Sequence, residues 1–212
     1  ISWMKIELTK IGKRFNRHWI FKEIDFTFNS GSQTVIKGTN GSGKSTLLKI
    51  ISAAELPSSG KINYQKSGQN IGPNAVFKEL SYTAPYIDLP SELNLIEICN
   101  FHLKFKHFIN HLSIDHFAQL IQLNDAKNKV YRNYSSGMKQ RLKLGLALCS
   151  NTSVLLLDEP CSNLDNDGRK LYRRLLSEYG KDRTVIIASN NDPDEMNNIE
   201  NSLLIKNYQI QS

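Results

Sequence analysis

The sequence predicts an α/β protein with a parallel core sheet, an N-terminal antiparallel β subdomain and a helical insert. Residues 154–157 and 184–188 are continuous apolar runs, typical of strands buried on both faces of a parallel sheet. Segments with helical spacing alternate with these runs, and such alternation favours a parallel sheet. Residues 4–10 and 24–28 instead alternate apolar and polar side chains, which predicts antiparallel pairing in the first 36 residues. At 212 residues, one domain or a closely joined pair is expected.

Strands and turns occupy the N-terminal third. Residues 4–10 alternate in polarity and are predicted to form a strand. Residues 24–28 and 33–36 flank the turn sequence Asn29-Ser30-Gly31-Ser32, and this pattern predicts a hairpin. The elements expected next are a helix from residue 45 to about 53, a strand at 61–64 and a glycine- and proline-containing loop at 65–75.

The middle of the chain changes to helical spacing. Residues 93–125 predict a largely helical insert, in which Ser113 caps the second helix. A third helix is expected to begin near Ser136 and to carry a series of leucines. Leucines at 171, 175 and 176 predict another helix before the strand at 184–188.

Composition and charge restrict the classes of protein. The net charge is +7 with a pI near 9.3, which fits a nucleic-acid partner, an anionic membrane face or a generally basic proteome. The basic residues are dispersed, so nucleic acid is not the expected partner. The three cysteines are widely spaced, which suggests a reducing compartment and argues against a zinc cluster. No apolar run reaches the ~18 residues that a membrane span needs. These features together predict a cytoplasmic location.

A glycine-rich stretch at residues 38–46 predicts a phosphate-binding loop. It reads Gly-Thr-Asn-Gly-Ser-Gly-Lys-Ser-Thr and fits the pattern G-x-x-x-x-G-K-[ST]. Glycines allow backbone N–H groups to surround a phosphate, and the following helix would present its N-terminus to that phosphate. Lys44 is expected to reach the β- and γ-phosphates, and the Ser45 hydroxyl to bind Mg²⁺. The predicted nucleotide contacts are Asn40, Gly41, Ser42, Gly43, Lys44, Ser45 and Thr46.

Two carboxylates follow the buried strand at 154–157. An acidic residue at the carboxyl end of such a strand faces the nucleotide crevice in phosphate-loop folds. Asp158 is therefore predicted to hold Mg²⁺ together with Ser45, and Glu159 to polarise the attacking water. Taken alone, the pair could also be an ordinary strand end followed by an acidic turn. With Lys44 it predicts phosphoryl transfer from a nucleotide to water.

Residues 133–141 resemble the signature motif of ATP-binding cassette (ABC) proteins. They read Asn-Tyr-Ser-Ser-Gly-Met-Lys-Gln-Arg, against the family's usual Leu-Ser-Gly-Gly-Gln. Ser135 and Gly137 match, and the resemblance implies that they contact the γ-phosphate of ATP bound to another subunit. Residues 162–165 resemble the loop that crosses the dimer interface in this family. Phe15 matches the aromatic position that stacks on adenine.

The resemblance implies a P-loop nucleotide hydrolase of the ABC ATPase type over nearly the whole chain. Residues 1–212 would form a single nucleotide-binding domain. Its catalytic α/β core with the β subdomain would comprise residues 1–84 and 140–212. Residues 85–139 would form the helical subdomain that carries the signature motif.

Two positions depart from the family's pattern. Pro85 stands where the family has a glutamine that contacts Mg²⁺ or water, and proline has no amide side chain. Asn190 stands where the family has a histidine. An asparagine amide can hydrogen-bond a γ-phosphate but cannot carry positive charge. Hydrolysis is therefore expected to be slower than in a typical member, with ATP binding retained.

As a function, the resemblance implies the ATP-hydrolysing subunit of an ABC transporter, with ATP and Mg²⁺ as cofactors. The subunit would act as a homodimer or with a related cassette, and would drive a membrane-spanning partner docked near residues 85–105. It would lie peripherally on the inner face of the cell membrane. The signature sequence resembles that of small exporter subunits. Two alternatives remain: a non-transport cassette acting on ribosomes or DNA, and a nucleotide-binding module with little catalysis.

Overall fold

The computed structural model describes residues 3–196 and 199–209. Within these ranges the strands are β1 (Met4–Phe15), β2 (His18–Phe28), β3 (Gln33–Lys37), β4 (Ser59–Lys66), β5 (Gln69–Ile71), β6 (Leu80–Thr83), β7 (Val154–Asp158), β8 (Thr184–Ser189) and β9 (Asn201–Leu204). The helices are α1 (Lys44–Ile51), α2 (Pro73–Glu79), α3 (Leu95–Leu103), α4 (Ile114–Leu120), α5 (Ser136–Leu148), α6 (Asn166–Tyr179) and α7 (Pro193–Met196).

The strands form two sheets, as the α/β prediction requires. The first is antiparallel, with strand order β2-β1-β4-β5, and the second is parallel, with order β6-β7-β8-β3-β9. Because all strands of the second sheet run the same way, their carboxyl ends meet at one edge. The segment after β3 and the carboxylate Asp158 lie at that edge.

The central strands β7 and β8 contain continuous apolar runs because each of their faces packs against a different core. Leu155 and Leu157 of β7 lie in a core shared with the helical insert, α5 and α6. Val154 and Leu156 face a second core formed with the antiparallel sheet and α1. Every residue of β7 and β8 is buried. This two-sided burial removes the alternation expected of a strand with one solvated face.

The predicted hairpin at residues 24–36 is wrong. A turn does form, with the Ser32 N–H donating to the Asn29 carbonyl at 3.1 Å. However, β2 pairs antiparallel with β1, whereas β3 pairs parallel with β8 and β9. The turn therefore carries the chain from one sheet to the other. Val35 and Ile36 are buried because β3 belongs to the parallel core.

The predicted loop at 65–75 is also wrong in part. β4 continues to Lys66, and Ser67 with Gly68 turns the chain into the short strand β5. Gly68 has φ +79°, a conformation in which glycine is unstrained. Pro73 occupies the first position of α2, where its missing N–H costs nothing. Here glycine and proline mark the ends of elements within a structured segment.

The helical insert forms as expected and is capped by side chains. Asn94 and Glu97 form a reciprocal capping box at the start of α3, and the Ser113 hydroxyl caps α4. α5 begins at Ser136, as the sequence predicts, and continues to Leu148. The proposed lobe boundary at 139/140 therefore falls inside a continuous helix. The lobes themselves remain a prediction.

A buried arginine joins the end of α5 to the parallel sheet. The Arg183 side chain is fully buried, and its guanidinium donates to the Leu148 carbonyl at 2.8 Å and to the Thr152 hydroxyl. Burial lowers the pKa of Arg183 to about 10, so the side chain keeps its charge at neutral pH. The carbonyls in the last turn of a helix lack intrahelical donors, and the helix dipole places partial negative charge there. The Arg183 guanidinium donates hydrogen bonds to these carbonyls, and its positive charge interacts favourably with the dipole.

Candidate functional site

The predicted phosphate loop adopts a conformation that requires glycine. Gly41 and Gly43 have φ of +77° and +102°. A Cβ added to Gly43 would approach Ile20 Cγ2 to 2.6 Å and Phe21 Cδ1 to 3.0 Å. These contacts show that the loop packs against β2 on one side. Gly43 also precedes α1, so the free N–H groups of the first helical turn belong to the loop.

The Lys44 ammonium is held across the mouth of this loop. Its side chain is 4% exposed, and Nζ donates to the Gly38 carbonyl at 2.9 Å and the Thr39 carbonyl at 3.1 Å. Nζ also lies 3.7 Å from Glu159 Oε1. The ammonium thus bridges two main-chain carbonyls and a carboxylate, contacts that a phosphate oxygen can share or replace.

Asp158 is a buried carboxylate without a partner. It is 1% exposed, and within the described part of the chain neither carboxylate oxygen makes a hydrogen bond of standard geometry. Burial raises the pKa of Asp158, and the nearby Ser45 hydroxyl and Lys44 ammonium partly offset this shift. An unpaired buried carboxylate is costly unless a cation joins it. Asp158 and the Ser45 hydroxyl therefore fit the oxygen-only preference of Mg²⁺.

Glu159 leaves the end of β7 in a strained conformation. Its φ is +42°, in the left-handed region that non-glycine residues rarely adopt. The Glu159 N–H donates to the Ala188 carbonyl at 2.9 Å, which fixes the backbone after the strand. The side chain is 31% exposed and points toward Lys44. Strain of this kind persists where the surrounding structure holds a functional side chain in place.

The signature residues form the N-terminus of α5. Ser135 is the N-cap, and its hydroxyl accepts the Met138 N–H at 3.2 Å while keeping its own hydrogen free to donate. Tyr134 replaces the usual leucine; its ring is buried and its hydroxyl donates to the Ala126 carbonyl at 2.8 Å. Ser135 and Ser136 are exposed and Gly137 is half-buried. The first turn of α5 thus offers an open anion site at a helix N-terminus.

The sequence matches the family described as ABC transporter over residues 21–162. That span contains the phosphate loop, the signature residues and both carboxylates of β7. The chain belongs to the ABC transporter family. The prediction made from the signature motif is therefore confirmed at the level of the family.

Curated relatives within the ABC transporter family include importers and exporters. The sulfate/thiosulfate import ATP-binding protein CysA of Pectobacterium atrosepticum is 29% identical over 213 residues, which cover 96% of this chain and 64% of the relative. The cytochrome c biogenesis ATP-binding export protein CcmA of Reclinomonas americana is 30% identical over 191 residues, which cover 89% of this chain and 84% of the relative. This chain thus spans less of CysA than of CcmA.

Solved structures support the ABC ATPase fold. A putative ABC transporter ATP-binding protein from Pyrococcus furiosus has a TM-score of 0.81 at 22% identity, covering 97% of this chain and all of the other. A bacterial Atm1-family ABC exporter with ATP bound has a TM-score of 0.79 at 20% identity. The superposition covers 95% of this chain and 37% of the exporter chain. At these identities the likeness concerns the fold alone.

Two polar residues of α5 that the sequence did not predict as functional hold the segments that follow β6 and β7. The Gln140 side chain is buried, and its amide donates to the Pro160 carbonyl at 2.9 Å. Lys143 is buried as well, and its ammonium donates to carbonyls of the segment after β6. The signal available in the sequence was the spacing of Gln140 and Lys143. They lie three residues apart on an otherwise apolar helix face, a spacing that places them together.

Glu195, in α7, is a second buried carboxylate. It is 3% exposed, and its Oε1 accepts the Cys161 N–H at 3.0 Å. Burial raises the pKa of Glu195 to about 7; Ser189 and the Cys161 N–H lower it, while Asp192 and Glu159 raise it further. The hydrogen bond fixes the main chain two residues after Glu159.

Replacing Glu195 by glutamine is expected to remove a pH dependence of stability. The folded-state pKa of about 7 lies above the ordinary value of 4.5, so the folded state binds this proton more tightly. Stability from this group is present below pH 4.5 and is lost as the pH rises to about 7. Across that window the wild type should lose about 3 kcal/mol of unfolding free energy relative to Glu195→Gln. Urea unfolding at several pH values measures the difference, and parallel profiles would contradict the assignment.

Phe15 and Asn190 occupy exposed positions beside the site. Phe15 ends β1 and is 48% exposed, with Lys13 Nζ lying 5.1 Å from its ring centroid. Asn190 directly follows β8, two residues beyond Ala188, the register partner of Asp158. Adenine stacking by Phe15 and γ-phosphate contact by Asn190 remain predictions. Asn190→His is expected to raise the turnover of ATP, which steady-state phosphate release would measure.

Proposed function

We propose that this chain is the ATP-binding and ATP-hydrolysing subunit of an ABC transporter. The observation that carries this proposal is the convergence of Lys44, the unpaired Asp158 carboxylate and Glu159 at one edge of the parallel sheet. A cation, a metal-binding carboxylate and a water-polarising carboxylate are the parts that phosphoryl transfer to water uses. The names of two curated relatives support the same function: CysA is named as an import ATP-binding protein and CcmA as an ATP-binding export protein.

The chemistry follows from the roles of these side chains. Bound Mg²⁺ would neutralise phosphate charge, held by the Ser45 hydroxyl and the Asp158 carboxylate. Lys44 would exchange its contacts with the Gly38 and Thr39 carbonyls for the β- and γ-phosphates. Glu159 would orient a water and accept its proton as the water attacks the γ-phosphate. The Gln140 and Glu195 hydrogen bonds to residues 160 and 161 keep the main chain beyond Glu159 in place.

A second chain would complete each site. Ser135 and Gly137 would contact the γ-phosphate of ATP bound to the partner, as the resemblance implies. Gly137 supports this role because the packing around it does not require a glycine. In the part of the chain that the structure describes, a Cβ added at residue 137 would meet only the Asn163 carbonyl oxygen, at an ordinary contact distance of 3.5 Å. Alanine would favour the helix by about 1 kcal/mol. Close approach of a phosphate explains the glycine better than packing within the chain.

The transported substance would pass through a membrane-spanning partner. None of the helices in the described ranges combines the length and the apolar composition that a membrane span needs. We expect the subunit to lie on the inner face of the cell membrane, with the partner docked near residues 85–105. CysA is named as an importer and CcmA as an exporter; CcmA is matched over 84% of its length, which supports export.

Lys44→Ala tests the proposed activity. The purified chain is expected to bind ATP and to release phosphate in the presence of Mg²⁺, and Lys44→Ala is expected to lose both properties. Equilibrium binding of a fluorescent ATP analogue and a phosphate-release assay measure them. Exposed Lys61→Ala, on β4, serves as the matched control. Absence of ATP binding by the wild type would refute the proposal, whereas co-purification with ribosomal RNA or DNA would favour the non-transport alternative.

A further inference from the structure

Two tyrosine hydroxyls meet beside the unpaired Asp158 carboxylate. Tyr82 lies in β6, where it pairs with Leu156 of β7, so the segment that follows passes the end of β7 at Asp158. Tyr86 follows four residues later, and the two hydroxyls are hydrogen-bonded to each other. Leu156 and Asp158 lie two residues apart in β7, so Tyr82 and Asp158 project from the same face of the sheet. Burial raises the pKa of Tyr86 to about 12, and the charge of the nearby Asp158 carboxylate adds to the rise.

The Tyr86 ring is fixed from a second direction by α1. Lys49 Nζ lies 4.7 Å from the ring centroid, a cation–π contact. Lys49 is four residues after Ser45, so both side chains project from the same face of α1. Tyr86 therefore lies along the helix face that carries the Ser45 hydroxyl, and beside the carboxylate that Ser45 approaches.

The backbone that carries Tyr86 is held by α5, the helix whose first turn carries the signature residues. Lys143 of α5 is 8% exposed, and its Nζ donates to the carbonyls of Ala84 at 3.3 Å, Pro85 at 3.0 Å and Ile87 at 3.0 Å. Hydrogen bonds from a charged donor are about twice as strong as neutral ones. Three of them within four residues fix the path of the chain through residues 84–87. Half of the Tyr86 surface stays exposed at 51%, so the ring is held in place without being part of the core.

An ordinary surface tyrosine would direct its hydroxyl to water. Here the hydroxyl instead forms a hydrogen bond with Tyr82, on the face of the sheet that carries Asp158. The Asp158 carboxylate has no hydrogen-bond partner of standard geometry among the described residues. Pro85, the residue next to Tyr86, carries no polar side chain that could serve this site. A tyrosine hydroxyl is thus a polar group that this segment brings to the face of the sheet that carries Asp158.

We propose that Tyr86 is a positioning residue of the nucleotide site: its hydroxyl, held by Tyr82, orients the Asp158 carboxylate for Mg²⁺ with ATP. The inference rests on the proposed function. It assigns to Tyr86 the polar contact that Pro85 cannot make. Lys143 links the same segment to α5, so the contact depends on the position of the signature helix.

Tyr86→Phe tests this inference because it removes one oxygen and keeps the ring. The measurement is the affinity for a fluorescent ATP analogue, first in EDTA and then as Mg²⁺ is titrated. Affinity in EDTA should be unchanged, while the Mg²⁺ concentration at half-maximal effect should rise about tenfold, the consequence of losing a hydrogen bond to a charged group. Tyr82→Phe should cause a smaller rise in the same direction. Thermal unfolding without nucleotide should be unchanged for Tyr86→Phe.

Tyr179→Phe, at the end of α6, is the matched control and should behave as the wild type. The inference is overturned if Tyr86→Phe gives the Mg²⁺ dependence of this control, or if it lowers affinity equally with and without Mg²⁺. Failure of the wild type to bind the nucleotide at all would instead overturn the proposed function, and this inference with it. The two failures are therefore distinguishable in one set of titrations.

Discussion

Glu159→Gln is expected to lower the rate of ATP hydrolysis by about 10²–10⁴-fold, the range for loss of a positioned general base. ATP affinity should change little. Glutamine has nearly the same shape but cannot accept a proton from water. The backbone of residue 159 is held by its own N–H bond to Ala188, so the substitution leaves the loop conformation in place. Loss of one carboxylate 3.7 Å from Lys44 leaves that ammonium free for phosphate.

Single-turnover hydrolysis and equilibrium ATP binding, measured on the same preparation, separate these two effects. Glu178→Gln on the exposed side of α6 is the control for removal of a carboxylate and should retain wild-type turnover. Turnover of Glu159→Gln within threefold of the wild type would show that Glu159 is not the base.

Arg183→Met is expected to destabilise the folded chain by about 3 kcal/mol or more. Methionine is of similar length but cannot donate to the carbonyls of Leu148 and Ala147, which would remain buried without partners. The Thr152 hydroxyl would also lose its donor. A domain has about 5–15 kcal/mol of total stability, so the loss is a large fraction of it.

The midpoint of urea unfolding, monitored by circular dichroism, measures this change. Arg174→Met is the control: its guanidinium is on an exposed residue and donates to a single carbonyl, that of Leu120 at 3.1 Å. Its loss should cost less than about 1 kcal/mol. Equal midpoints for the two variants would mean that the buried hydrogen bonds of Arg183 are offset by the cost of burying its charge.

The parts of the site that the sequence predicts are those encoded within short segments. The phosphate loop needs glycines where φ is positive, and those glycines can be read directly at residues 41 and 43. The strand that ends at Asp158 is apolar because both of its faces are buried, and that burial is visible as a continuous run. The start of α5 follows from one capping serine.

What the sequence could not predict depends on contacts between distant segments. The turn at 29–32 reads as a hairpin, yet the partner of β3 is β8, about 150 residues away in the chain. Lys143 and Arg183 look like ordinary charged residues until the fold places them against main-chain carbonyls. The role of Tyr86 depends on Asp158 and Lys49, which belong to other elements. Local patterns carry no information about such partners.

The central claim is that bound ATP lies between the phosphate loop of one chain and α5 of another. Sedimentation of the Glu159→Gln variant with and without Mg²⁺ and ATP tests it most directly, because slow hydrolysis preserves the ATP-bound state. Gly137→Asp is added in the same background. A carboxylate in the first turn of α5 suits the helix, but it would repel a phosphate of the partner's nucleotide.

The expected result is a monomer without ATP, a dimer with ATP, and a monomer under both conditions once Gly137→Asp is present. ATP affinity of the Gly137→Asp monomer should be unchanged, since its own phosphate loop is intact. An ATP-dependent dimer that forms equally well with Gly137→Asp, or no dimer with saturating ATP, would contradict the shared site.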